Sequence, residues 1–136
     1  QSPSSAASDV YKRQDLLFDM FGFPDYSSFR RVLAPRGRLV RVTPGDRHLI
    51  QLREVIYPNI KLRSERAPYP ETFKVVSKQH ITYEMSLGTE DLKNLLLMTP
   101  HMFRSTPERR QQALDHDHLT LTVDVIFEEL ETATVY

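Results

Sequence analysis

His48, in the run Thr43-Pro44-Gly45-Asp46-Arg47-His48-Leu49, is the residue whose type and setting point most directly to chemistry. An imidazole donates and accepts hydrogen bonds near neutral pH. This one follows a Pro-Gly break after the short apolar stretch Leu39-Val40-Val42, and open α/β sheets place their ligands at strand ends of that kind. The spacing of Leu49, Leu52, Val55 and Ile56 predicts a helix starting at Gly45-Asp46 and running to about Ile56. The first turn of such a helix would point unpaired backbone N–H groups outward, a favourable setting for a carboxylate. A histidine that only caps or packs at a helix start fits the same residues.

Charge gives the second lead. The 136 residues carry 18 basic and 18 acidic side chains, but the signs are segregated. Ten Lys or Arg lie between Arg30 and Arg66 against Asp46, Glu54 and Glu65, whereas Asp115 to Glu131 holds six carboxylates and no Lys or Arg. A basic segment beside a ligand-binding strand end suits a polyanion such as RNA. Arg47, Arg104, Arg109 and Arg110 are the candidates for phosphate contact, with Phe103 and Tyr57 available for base stacking. Solvated helix faces explain the arginines as well, and core packing the aromatics. His116-Asp117-His118 resembles a metal motif, yet nothing nearby supplies a third ligand, so no metal site is expected.

Composition removes several classes. There are no cysteines, which excludes disulfides, thiol nucleophiles and thiolate metal sites within this stretch. No apolar run is long enough to cross a bilayer and no signal-peptide pattern opens the chain, so a soluble, cytoplasmic protein is expected. Gly22, Gly37, Gly45 and Gly88 stand alone, and no G-x-G phosphate loop occurs.

These groups must be positioned by a single domain's worth of chain. Residues 1–14, QSPSSAASDVYKRQ, are small, polar and aperiodic, and are read as a disordered, non-native leader. Asp15 to Phe23 is predicted to be a buried strand. Asp25 should cap a helix from Tyr26 to Leu33 that Pro35 stops, with Pro35-Arg36-Gly37 turning the chain into the central strand. Asn59 to Thr72 is read as a mobile loop and Phe73 to Leu87 as a strand. Thr89 should cap a helix through Met98, whose methionine joins Met102 in the core. Ser105-Thr106-Pro107-Glu108 opens a helix to Leu114, and Leu119 to Leu130 closes the chain as a strand. The pattern gives a mixed α/β sheet with flanking helices.

Together DLLFDMFGFP, LAPRGRLVRVTPGDRHL, the apolar helix running into MTPHMFR and the last strand resemble the C-terminal half of the bacterial large-subunit (23S) ribosomal RNA guanine-N(1)-methyltransferases. These are class I enzymes that use S-adenosylmethionine. The most specific signal is TPG-x-RHL followed about fifty residues later by LL-x-MTP. The resemblance implies a Rossmann-like fold in which residues 15–136 form a partial methyltransferase domain supplying strands four to seven of a seven-stranded sheet. It leaves the family's zinc finger and glycine-rich donor loop to an N-terminal part, with zinc expected only there.

By the same resemblance His48 contacts S-adenosylmethionine and the partner is ribosomal RNA. Proton removal from the guanine ring nitrogen needs a base, for which Asp19 and His101 are the candidates. The D/N-P-P-Y/F motif of exocyclic-amine methylation is absent, since the first strand ends in FGFP. On this reading catalysis belongs to the full-length protein, the present stretch alone is inactive, and an exposed apolar strand edge would favour homodimers. The alternatives are a class I methyltransferase acting on a small molecule, and a non-catalytic truncated fragment.

Overall fold

The computed structural model describes residues 12–60, 66–100 and 104–133. Its elements run β1 (Gln14–Met20), α1 (Tyr26–Val32), β2 (Leu33–Pro44), α2 (Ile50–Ile56), β3 (Phe73–Gly88), α3 (Thr89–Met98), α4 (Pro107–Leu114) and β4 (His118–Thr132). The strands form one mixed sheet in the order β1-β2-β4-β3, with β1 parallel to β2 and β2 antiparallel to β4. The α/β class and the mixed sheet agree with the sequence reading. Among the described residues no helix is long and apolar enough to cross a membrane. Residues 1–11 of the expected leader and residues 61–65 of the expected 59–72 loop lie outside the described residues.

The chain forms two compact units. The first holds β1, α1, β2, β3 through His80 and β4 from Val125 onward. Its core is Leu33, Leu39, Phe73 and Leu130, with Leu17, Tyr26, Phe29 and Tyr69 packed against them. Asp25 caps α1 as its sequence position requires: the carboxylate accepts from the Ser28 amide at 3.2 Å and the Ser28 hydroxyl at 2.7 Å. The Ser28 hydroxyl and amide, then the Ser27 hydroxyl, hold the Asp25 carboxyl below its ordinary value.

Two expectations in this unit are corrected. Strand β1 is buried on one face only: Leu16, Phe18 and Met20, on the other, are 47%, 63% and 59% exposed. The Pro35-Arg36-Gly37 segment does not end a helix before a short strand but lies within the twelve-residue β2. Pairing with β1 jumps from Gln14↔Leu33 to Leu16↔Arg38, so the proline and glycine occupy a bulge. Gly37 is required there because a Cβ would lie 2.8 Å from the Gln14 carbonyl oxygen and 2.9 Å from Leu33 Cδ2.

The second unit holds the segment from Gly45, α2, β3 from Ile81, α3, α4 and β4 through Asp124. Leu49, Leu52 and Ile56 meet Leu92 and Leu96 of α3, Ala113 of α4 and Leu121 of β4. Each fully buried leucine contributes about 1.5–3 kcal/mol of transfer free energy. Thr106 caps α4 by accepting from the Arg109 amide at 3.3 Å, with Pro107 in the first turn. Gly88 rather than Thr89 occupies the cap of α3, and the Thr89 hydroxyl donates to the His116 carbonyl at 3.1 Å. Met98 is 82% exposed, against the expectation of a core position: α3 turns Leu92 and Leu96 inward, and Met98 falls outside that stripe. Met102 lies outside the described residues.

Candidate functional site

The TPG-x-RHL segment is a closed turn rather than a helix start. Residues 46–49 form turns, Leu49 adopts a left-handed conformation (φ 55°), and α2 begins only at Ile50. Four of the amides expected to point outward are used internally. Gly45 N donates to the Asp124 carbonyl at 2.7 Å, Arg47 N to Asp124 Oδ2 at 3.0 Å, His48 N to the Gly45 carbonyl at 3.2 Å and Leu49 N to the Thr122 carbonyl at 2.7 Å. The reason is Asp124, a buried carboxylate on β4 that fits under the turn and also accepts from the Thr82 hydroxyl at 3.1 Å. Recognition at this turn therefore falls to side chains.

His48 is fixed by the same residue. Its Nδ1 accepts from the Asp124 amide at 3.1 Å, so the neutral ring carries its proton on Nε2. Arg53, only 7% exposed, donates to the carbonyls of Asp46 and His48, both at 3.2 Å, and closes the turn from beneath. Gln51 braces α2 against β4: its amide nitrogen donates to the Thr122 hydroxyl at 2.7 Å and its oxygen accepts from the Thr122 amide at 2.8 Å.

The first unit carries a second polar assembly. Asp19 on β1, Arg41 on β2 and Glu128 on β4 are neighbours across three adjacent strands. Arg41 Nε donates to Asp19 Oδ2 at 2.9 Å and Nη1 to the Tyr26 hydroxyl at 2.7 Å, while the guanidinium lies 5.7 Å from the Tyr26 ring centroid and 5.9 Å from that of Tyr69. Glu128 accepts from Arg66 and from the Tyr69 hydroxyl, both at 2.9 Å. Burial alone would lower the Arg41 pKa, but the Tyr26 and Tyr69 hydroxyls and the Asp19 carboxylate outweigh it and the net direction is upward. The other Asp19 oxygen fills the space a Cβ at Gly22 would need, which sets the loop after β1. Phe21 in that loop is left-handed (φ 58°) and anchored by its amide on the Val42 carbonyl at 2.9 Å.

Burial and the bond to Glu128 push the Tyr69 hydroxyl up to about 12, from an ordinary 10.0. A raised pKa means that the fold prefers the neutral phenol. The stabilisation is complete below pH 10 and is lost as pH rises through 12. Ultraviolet titration should show a tyrosine step in that late window together with loss of structure, and Tyr69→Phe should reduce it by one tyrosine. Ionisation of every tyrosine in the ordinary range would contradict the buried bond to Glu128.

Of the residues singled out by sequence, His48 and Arg47 meet on Asp124 in the second unit, Arg47 through its amide. Asp19 lies in the first unit, engaged by Arg41. Arg104 is exposed; it and Arg53 draw the Tyr57 hydroxyl downward against the larger upward effect of burial. Arg109 supplies a capping amide, and the Arg110 guanidinium donates to the Ser105 carbonyl. Tyr57 packs against the second core. His101 and Phe103 lie outside the described residues. The sequence reading does not single out Asp124, Arg53, Arg41 or Glu128. The available signals were a carboxylate inside the apolar run VDVIF and an arginine on the Leu49–Leu52–Ile56 stripe.

No protein-family model matches the chain. The chain is similar to a Bacillus subtilis (strain 168) protein named "Putative 23S rRNA (guanine-N(1)-)-methyltransferase YxjB", at 28% identity over 130 residues covering 88% of this chain and 45% of that protein. It spans a little under half of that relative's length, and the similarity supports a methyltransferase-like relationship.

Proposed function

We propose that this chain is the C-terminal part of an S-adenosylmethionine-dependent methyltransferase that acts on N(1) of a guanine in ribosomal RNA, with residues 15–136 as a partial Rossmann-like domain. The observation that carries the reading is the geometry of His48 within TPG-x-RHL. The Asp124 amide occupies Nδ1 and makes Nε2 the donor nitrogen, the chemistry needed to hold an oxygen of the methyl donor. Support comes from the similarity to the Bacillus protein and from the parallel β1-α1-β2 unit, the building block of open doubly wound sheets. The exposed apolar face of β1 also suits a strand that has further chain packed over it in the full-length protein.

The residues fit the donor through a side chain. His48 would hold it, and when bound the donor supplies the electrophilic methyl group. The protein's share of such a transfer is to orient the guanine, exclude water and take up its ring proton, and positioning supplies most of the effect.

Calorimetric titration of this chain with S-adenosylmethionine, beside His48→Ala, tests the assignment. Loss of one hydrogen bond to a charged group should weaken binding by about tenfold or more, given ~1.5–3 kcal/mol for such a bond. Equal affinity in the variant would remove His48 from the donor site. Methyl transfer to guanine N(1) by the full-length protein tests the reaction itself.

A further inference from the structure

Sequence reading placed RNA contact on Arg47, Arg104, Arg109 and Arg110, all in the second unit. The first unit contains a cleft that none of these residues lines. Its volume is about 420 Å³, and its walls include Lys12, Arg30 and Arg31 together with Tyr26, Ser27 and Thr72. Among the described residues that line it are three cations and no carboxylate. Like charges gathered at one concavity focus positive potential inside it. We propose that this cleft binds the phosphate backbone of single-stranded RNA, a partner class that rests on the rRNA reading above.

The walls are built to stay in place. The Tyr26 ring makes edge contacts with Phe29 (6.2 Å between centroids) and Tyr69 (5.7 Å), and its hydroxyl is held by Arg41. Helix α1 is fixed at its start by the Asp25 cap, and the Lys12 amide donates to the Arg31 carbonyl at 2.9 Å at its end. Arg30 and Arg31 leave the last turn of this helix exposed, where the cationic ends can reach an anion without disturbing the core. The Asp25 carboxylate also feels Arg31, and its oxygens bond Ser27 and Ser28. The volume suits a nucleotide, in the range of about 300–1,000 Å³ typical of small-ligand sites, and is too small for a duplex. The Ser27 and Thr72 hydroxyls add neutral groups able to bond phosphate or ribose oxygens. Lys12 falls within the leader read as non-native, so the assignment is tested on the two arginines.

The experiment is fluorescence-anisotropy titration of the chain with a labelled single-stranded RNA oligonucleotide over a series of KCl concentrations. Wild type is compared with Arg30→Gln/Arg31→Gln and with Arg36→Gln as a charge control on an exposed residue outside the cleft. Thermal melting verifies that the variants fold. Each phosphate neutralised on a single strand contributes about 0.7 to the slope of log K against log salt, so the double variant should lose about 1.4 of slope and at least about tenfold in affinity at low salt. Arg36→Gln should lose less than half of that. No saturable binding by wild type, an unchanged slope in the double variant, an equal loss in Arg36→Gln, or equal binding of duplex RNA would each overturn the proposal. Methyl transfer by the full-length double variant at wild-type kcat/KM, with wild-type RNA binding, retires the cleft alone. RNA bound through these arginines by a full-length protein that transfers no methyl group retires the methyltransferase reading and keeps the cleft.

Discussion

Gly45→Ala should destabilise the protein by about 2–4 kcal/mol, the range expected when overpacking is combined with the loss of buried hydrogen bonds. No glycine among the described residues has a positive φ, so an alanine at this position meets no backbone strain. On backbone entropy alone the substitution would stabilise by about 0.4–1 kcal/mol. The steric term reverses the sign. A Cβ on Gly45 would lie 2.6 Å from Asp124 Cγ and 2.7 Å from Oδ1, and closer still to Oδ2. This carboxylate is only 4% exposed and is tied to the Arg47 amide and the Thr82 hydroxyl, so it cannot swing away as a surface side chain would. Moving it also disturbs the strand whose amide fixes His48. Urea denaturation of Gly45→Ala, Asp124→Ala and the double variant separates the effects. In the Asp124→Ala background the added methyl should cost far less, giving a coupling of at least about 1 kcal/mol. Additive losses would mean that the carboxylate does not hold the turn. In donor titrations Gly45→Ala should weaken binding together with His48→Ala, because both act on one imidazole.

What the sequence reveals about this fold follows the range of the interaction concerned. The Asp25 and Thr106 caps lie three residues from the amides they bond, so residue type and spacing are enough to place α1 and α4. The long strands β3 and β4 are visible because their composition is sustained over many residues. The exposure of β1 is not visible, since DLLFDMFGF has the same composition whether the strand is central or outermost. The start of α2 is not legible either, because the atoms that close the turn come from Arg53 and Asp124. The histidine ring bonds an amide 76 positions away, and local periodicity carries no trace of that distance. The row of Asp19, Arg41 and Glu128 becomes apparent only once β4 is known to lie beside β2. Each of those residues had nonetheless left a local mark, a charge set within apolar sequence. Such charges are better read as half of a pair than as solvated surface.

Arg41→Met should be the most damaging single change in the first unit, at about 3–5 kcal/mol, because it leaves a buried carboxylate without its counter-charge. The Arg41 and Asp19 side chains are 12% and 8% exposed, well below the exposure at which solvent would screen the pair. The guanidinium also holds the Tyr26 hydroxyl and lies near two tyrosine rings, so Arg41→Lys should recover only part of the loss. Lysine keeps the charge but has neither the planar fork nor the reach to serve Asp19 and Tyr26 together. The second variant to make is Asp19→Leu/Arg41→Met. Replacing both members of a buried pair by apolar groups removes the desolvation penalty along with the attraction, so the double variant should be more stable than Arg41→Met alone and within about 1–2 kcal/mol of wild type. Glu128 keeps Arg66 and Tyr69 in every case and should not add to the loss. The readout is the urea midpoint at constant slope. If Arg41→Met falls within about 0.5 kcal/mol of wild type, the pair behaves as a surface ion pair and the row across the three strands is not a structural element. If the double variant is no better than the single, the loss comes from packing against the tyrosines rather than from the stranded charge. That outcome would move the importance of Arg41 from its ion pair to its place between two aromatic rings.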